Sequence, residues 1–391
     1  MIKAAIIIER ADIALGGAER SVLEMAGAIG QAGVDVAVLA AAGFANGKNL
    51  QVLLPGTKRA SLGAFGNALR AHLKENHYDI IHSVLPFDFA DVYQPRGGAY
   101  AESILRNADS YGGNMIRCYK TLTHSINFRR AALLAAEKKL CKNGGTTVAA
   151  ISEYVKRQFI DHYGAGEERI ALIPNGVKGA EKINTAAAEK LRSQILLMLG
   201  LGASSKAAIF LFAANNFRLK GLGGLIKAVA VSARQKKTRP LYLVVAGAGS
   251  SRRYRGIAEN FKVSDRIAFL GPLRDIHEAL YISDAAVLPS FYDPCSRFIL
   301  EALTAGKPVI TTRFNGASER FEDGRHGRII ESADDTEVLA GALNHFAEPE
   351  NALQASKAIK EDGIAEKVSI TKHAEQMIEL YRSILRRKVP V

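Results

Sequence analysis

Short apolar runs alternate with helix-patterned segments along almost the whole chain, and no other feature restricts the fold so tightly. In the first half "KAAIIIE" (3–9) reads as a strand and "GGAERSVLEMAGAIGQAG" (16–33) as the helix after it. "VDVAVLAA" (34–41) is the next strand, "GAFGNALRAHLKENH" (63–77) a helix and "YDIIHSV" (78–84) a strand. "TTVAAIS" (146–152), "EYVKRQFIDHYG" (153–164) and "RIALIPNGV" (169–177) continue as strand, helix and strand-then-turn. The second half repeats the grammar. Strands at "AAIFLFAA" (207–214), "LYLVVAG" (241–247), "RIAFLG" (266–271), "AAVLP" (285–289) and "KPVITT" (307–312) are separated by helical patterns. Such alternation implies βαβ units and parallel sheets covered on both faces.

A chain of 391 residues exceeds what one compact core usually holds. Pro, Asn and Gly punctuate "IPNGVKGAEK" (173–182), so the junction is expected there. The expected fold class is α/β, two doubly wound Rossmann-like domains facing a cleft. Ligands of such sheets bind outside the carboxyl ends of the strands.

The formal net charge of +13 points to an anionic partner or to a basic, soluble surface. Cys118, Cys141 and Cys295 form no Cys-x-x-Cys, so neither a disulfide framework nor a cysteine zinc site is indicated, and a reducing cytosol fits. The N-terminal apolar run of about six residues is too short for a signal-peptide core. No stretch reaches the roughly 20 apolar residues of a membrane span, so any membrane contact is expected to be peripheral. Residues 117–145 set Arg117, Lys120, Arg129, Arg130, Lys138, Lys139 and Lys142 against Glu137 alone. The segment at 117–142 either lies on an anionic membrane or forms a solvated helix face.

Four loops can carry chemistry. In "LGGAER" (15–20), Gly16 and Gly17 either admit an anion to a helix N-terminus or form an ordinary turn. In "AANNFRLKGLGGLI" (213–226), Arg218 and Lys220 either neutralise a diphosphate or are two solvated charges. Gly247 and Gly249 in "VVAGAGS" fit a close phosphate, another loop or a tight turn. "SFYDPCSRFILEALTAGKP" (290–308) is the richest. Asp293 lies in a loop, Ser296 is placed to cap a helix, and the free N–H groups around Arg297 and Phe298 can bind a phosphate. Glu301 shares a face with Arg297, so it is either a ligand group or Arg297's partner. No H-E-x-x-H, D-x-D, G-x-S-x-G or P-loop occurs, which weakens metal, nucleophile-elbow and Walker-type readings.

With these segments in order, nearly the whole chain resembles the retaining glycosyltransferases of family 4, which have the GT-B fold. Asp293 to Glu301 looks like that family's E-x7-E motif with Asp in first place, and "ALTAGKPVITT" reinforces it. Arg218 with Lys220, "GGAER" and "IPNGV" match the family's basic pair, glycine loop and junction. "DVYQPRGGAYAES" and "RQFIDHYGAGEERIALIPNGV" look most like bacterial lipopolysaccharide core glucosyltransferases.

The resemblance implies an acceptor-binding domain at 1–175, a nucleotide-sugar domain at 176–370 and a helix at 371–391 crossing back to the first. Asp293 would hold the donor sugar's hydroxyls, the amides near Ser296, Arg297, Phe298 and Ile299 the diphosphate, and Glu301 the ribose. Lys220 and Arg218 would stabilise the leaving diphosphate, and Gly16 and Gly17 would admit the diphosphate or acceptor. The base would sit near Gly271 to Arg274. Many relatives carry a histidine where this chain has Arg96, Gly97 and Gly98, a loop assigned to the acceptor side. His82 is expected to be structural. The implied activity is metal-independent, cofactor-free transfer of a hexose from a UDP-sugar such as UDP-glucose to a cell-envelope glycolipid or glycan, with retention. It would act in the cytoplasm, peripheral to the inner membrane face, and without nucleic acid. The alternatives are a GT-B-fold nucleotide-sugar epimerase and a non-enzymatic basic protein that binds membrane or nucleic acid.

Overall fold

The computed structural model describes residues 1–11, 17–43, 49–56, 60–113, 127–179, 182–235 and 239–388. The chain divides into two compact units: Met1–Gly176 with Ile370–Val391, and Val177–Ser369.

The first unit is built on β1 (Lys3–Ala11), β2 (Asp35–Gly43), β3 (Leu50–Val52), β4 (Ile80–Ser83), β5 (Val92–Tyr93), β6 (Thr147–Ala150) and β7 (Ile170–Leu172). All pairings are parallel, in the order β3-β2-β1-β4-β5-β6-β7. The pleat sends alternate residues of β1 to opposite faces. Ile6 and Ile8 pack with Met25, Ile29, Val36, Val38, Met377 and Tyr381. Ala5 and Ile7 pack on the other side with Leu39, Phe65, Leu69 and Phe87. Met377 and Tyr381 belong to the helix Ile370–Lys388, which buries Ala374, Met377, Ile378, Tyr381 and Ile384, one amphipathic stripe, against the helix Gly17–Gln31. Each large side chain so buried stabilises the docking by roughly 1.5–3 kcal/mol. The chain's last helix therefore belongs to the unit that contains its start.

The second unit contains β8 (Ala208–Ala213), β9 (Leu241–Ala246), β10 (Ile267–Gly271), β11 (Ala285–Leu288), β12 (Val309–Thr312) and β13 (Gly327–Ile330). These are parallel in the order β10-β9-β8-β11-β12-β13. The chain works outward from β8 in one direction, then returns to β11 and works outward in the other. The switch between β8 and β11 opens a crevice at their carboxyl ends. In the first unit the corresponding switch lies between β1 and β4. The strands expected from sequence are present. β3, β5 and β13 are additional to them.

Candidate functional site

The loops leaving β8 and β11 meet at the switch point of the second unit. Gly221 has φ +78°, and a Cβ there would lie 2.0 Å from the Pro289 carbonyl oxygen. Only glycine tolerates both the conformation and the approach. Next to it, the Phe291 N–H donates to the Leu219 carbonyl at 2.9 Å. Lys220 then reaches across. Its Nζ donates to the Tyr292 carbonyl at 2.8 Å and to Asp293 Oδ2 at 2.7 Å. The paired side chains keep 18% and 13% of their surface, so solvent and ligands can reach this ion pair.

The Asp293 loop is also held from behind. Thr311 Oγ1 donates to the Leu288 carbonyl at 2.8 Å, and Thr312 Oγ1 to the Ser290 carbonyl at 2.5 Å. Asp293 N–H donates to the Phe314 carbonyl, and Gly316 N–H to the Asp293 carbonyl, each at 2.9 Å. Between them Asn315, with no exposed surface, accepts from Ser296 N–H at 3.0 Å and Ala317 N–H at 3.1 Å. Sequence reasoning missed Asn315, Thr311 and Thr312. The signal was the stretch "TTRFNG" (311–316), which ends a buried strand in polar residues.

Ser296 caps the helix Arg297–Thr304, its Oγ accepting from Ile299 N–H at 3.4 Å. The expected four-amide cradle therefore needs correction. The Ser296 and Ile299 amides already have acceptors inside the protein. Arg297 and Phe298 form the first turn of the helix between them. Glu301 is buried, and its Oε1 accepts from Arg297 Nε and Nη2 at 3.0 and 2.9 Å.

Arg218 is half-buried in the same loop as Lys220 and, with Arg253, flanks Tyr254, whose phenol burial pushes up. Gly247 and Gly249 make room for another loop: added Cβ atoms would lie 1.8 Å from the Ala214 carbonyl oxygen and 2.7 Å from the Phe217 ring. Arg274 is exposed in the loop after β10, at the edge of the sheet.

In the first unit Gly16 lies outside the described residues, and Gly17 opens the helix Gly17–Gln31. Arg96, expected on the acceptor side, lies in the first unit and is engaged by its neighbours there. Its Nη1 donates to Asn175 Oδ1 at 2.6 Å and Ser21 Oγ at 3.0 Å, and its Nη2 contacts Met25 Sδ at 3.0 Å. The guanidinium thus holds the first helix to the end of the unit. Gly97 and Gly98 form the turn beside it, Gly98 at φ +69°. His82 is buried, with Nδ1 2.6 Å from the Tyr381 hydroxyl, and His373 Nδ1 lies 2.7 Å from the Pro174 carbonyl. Burial first, and the Arg96 charge second, hold both imidazoles down to about 3.

Of the basic segment, Arg117 and Lys120 lie outside the described residues. The helix Phe128–Asn143 turns Leu133, Glu137, Leu140 and Cys141 inward and leaves Arg130, Lys138, Lys139 and Lys142 exposed. Arg129 pairs with Glu9 at 2.5 Å and Lys139 with Asp88 at 2.8 Å. Glu137 accepts from the Tyr93 hydroxyl and the Tyr100 amide, each at 2.7 Å, and from Tyr163. Burial pushes its carboxyl up to about 7. Among the described residues no group of three or more His, Cys, Asp and Glu side chains suits a metal ion, and no helix is long and apolar enough to cross a membrane.

Comparison with known proteins adds the following. The model described as Glycosyltransferase Family 4 matches residues 15–179, and that described as Glycosyl transferases group 1 matches residues 200–363. The lipopolysaccharide glucosyltransferase WaaG of Escherichia coli is 24% identical over 260 residues, which are 66% of this chain and 65% of that protein, just under two thirds of its length. A D-inositol 3-phosphate glycosyltransferase of Nocardiopsis dassonvillei is 25% identical over 94% of this chain and 90% of its own. Among solved structures, a WaaG crystal structure aligns with a TM-score of 0.75 at 20% identity, covering 97% of this chain and 99% of that one. Anabaena HepE in complex with UDP-glucose aligns at 0.71 and 19% identity, covering 98% and 100%.

Proposed function

The chain belongs to the family 4 glycosyltransferases of GT-B fold, and from that premise we propose that it moves a hexose from a UDP-sugar, UDP-glucose first, to a cell-envelope glycolipid or glycan such as lipopolysaccharide core. The observation that carries the reading is the Lys220–Asp293 pair, held at 2.7 Å across the β8/β11 switch point beside a helix start. A diphosphate in this crevice would meet Lys220, Arg218 and the first-turn amides of Arg297 and Phe298, a fixed set of positive ends. Asp293 would then face the sugar hydroxyls, with Lys220 keeping its carboxylate in place. Glu301, oriented by Arg297, would take the ribose.

In the proposed step the bond between the anomeric carbon and the diphosphate oxygen breaks. The acceptor oxygen bonds to the same face, and its proton leaves with the departing diphosphate. The configuration is retained. The developing negative charge is met by Lys220 and Arg218, so the step needs no divalent cation. The first unit would serve the acceptor, at the cytoplasmic face of the membrane. The Escherichia coli relative, a lipopolysaccharide glucosyltransferase, and the UDP-glucose bound by the Anabaena neighbour support this choice of acceptor and donor.

The test is calorimetric titration with UDP, followed by incubation with UDP-glucose, UDP-N-acetylglucosamine or GDP-mannose and lipopolysaccharide core acceptors. Binding of UDP and transfer from UDP-glucose are expected. A protein that binds no nucleoside diphosphate would overturn the reading, and transfer from GDP-mannose alone would overturn the donor.

A further inference from the structure

We propose that Asn315 is a positioning residue for the donor diphosphate, acting through the Asp293 loop and the helix start rather than by touching the ligand. The proposal rests on the reading of the second unit as the donor site. Asn315 ties three segments together there. Its Oδ1 accepts from Ser296 N–H, nineteen residues back, and from Ala317 N–H. Its Nδ2 donates to Thr311 Oγ1 at 2.9 Å.

The amide orientation follows from its neighbours. The single hydroxyl hydrogen of Thr311 goes to the Leu288 carbonyl, so Thr311 can only accept from Asn315. Nδ2 must face Thr311, which leaves Oδ1 for the two backbone donors. A buried carboxamide with both ends engaged has one place to sit. Ser296 is therefore fixed by its backbone from Asn315, and its own Oγ fixes Ile299. Between those anchors lie Arg297 and Phe298, the first turn of the helix that the proposed function gives to the phosphates. The backbone on either side of Asn315 bonds both edges of Asp293, so one residue sets the sugar end and the phosphate end of the crevice together.

Asn315 also caps the short helix Gly316–Arg320 through Ala317 N–H. The two jobs can be separated. In Asn315→Ser the hydroxyl still reaches two residues on, as serine caps do, but is too short to reach Ser296. The local cap survives and the reach is lost.

The experiment compares UDP with uridine on the full chain. Asn315→Ser is expected to lower the melting temperature modestly, because the buried Ser296 N–H loses its acceptor, to bind UDP about tenfold more weakly and to bind uridine unchanged, because only the diphosphate depends on the helix start. Unchanged UDP affinity would overturn the proposal. Equal weakening of UDP and uridine would also overturn it, by showing a plain structural role. If Asn315→Ser does not fold, Thr311→Val removes the group that orients the carboxamide. It is expected to weaken UDP about threefold with uridine unchanged, and UDP affinity equal to the wild type would overturn the proposal. Failure of the wild type to bind UDP is a different result: it removes the functional reading itself.

Discussion

Both sheets carry polar clusters toward the carboxyl ends of their strands, and the two clusters are built in opposite ways. In the second unit Lys220 and Asp293 form a charged pair that keeps part of its surface, beside a helix start whose first amides lack intrahelical acceptors. In the first unit His82, Gln94, His373 and Tyr381 are buried, and the two histidines are held neutral. The first arrangement leaves charge for a ligand to use. The second uses polar groups to fix a helix, since the Tyr381 hydroxyl and His373 both come from Ile370–Lys388. Residue type does not separate a site from its scaffold here. Partial exposure of one charged pair and full burial of a neutral cluster do.

The sharpest way to test this contrast is to remove one member from each side. Lys220→Ala is expected to lower donor turnover by about 100-fold or more, the scale of one lost electrostatic contact to a transition state. The melting temperature should fall little, because the side chain bridges two loops that are also joined by the Phe291–Leu219 backbone bond. Unchanged turnover would take Lys220 out of the site. Tyr381→Phe should do the reverse. Losing the 2.6 Å contact leaves the buried His82 Nδ1 without its partner and costs about 1–3 kcal/mol of stability. Thermal melts should show the loss, while UDP affinity stays at the wild-type value. A fall in UDP affinity would break the division between scaffold and site.

A smaller effect is expected at Glu301, where the Arg297 pair leaves two roles open. Glu301→Gln should weaken UDP about tenfold, the worth of one charge-assisted hydrogen bond. It should also abolish the preference for UDP over 2′,3′-dideoxy-UDP, measured by calorimetry. If Glu301 only partners Arg297, both nucleotides should weaken equally.

The same contrast explains what the sequence revealed. The two-sheet α/β architecture was legible because parallel strands buried on both faces read as continuous apolar runs. Lys220, Asp293 and Ser296 were legible because each lies in a strand-to-helix loop, a position with a known physical use. Asn315 was not. Its importance comes from a contact nineteen residues away in sequence, and no local pattern encodes that reach. Arg96 shows the complementary gap: an arginine beside two glycines gives no local sign of the Asn175, Ser21 and Met25 contacts that hold it. The basic helix kept two readings open from sequence: its charge was visible, but not which residues, Leu133 and Leu140 among them, face the protein.

The last expectation concerns pH and the buried groups of the first unit. His82 and His373 titrate near 6.5 in the unfolded chain but are held to about 3 when folded. As pH falls from 6.5 toward 3 the unfolded chain gains protons that the folded unit refuses. Each histidine then removes roughly 1.4 kcal/mol of stability per pH unit. Glu137 works in the opposite direction. Its carboxyl is raised from 4.5 to about 7, so between those values the folded unit holds a proton that the unfolded chain does not, and stability is gained as pH falls. From 6.5 to 4.5 Glu137 therefore offsets one histidine, and below 4.5 both histidines act without opposition. Glu137→Gln removes the offset and keeps a neutral side chain of the same shape. Its stability, from urea midpoints at successive pH values, should fall more steeply than the wild type between pH 6.5 and 4.5 and in parallel with it below. Parallel curves over the whole range would mean that Glu137 carries its charge when folded, and the first unit would then not be the neutral scaffold that sets it apart from the Lys220–Asp293 crevice.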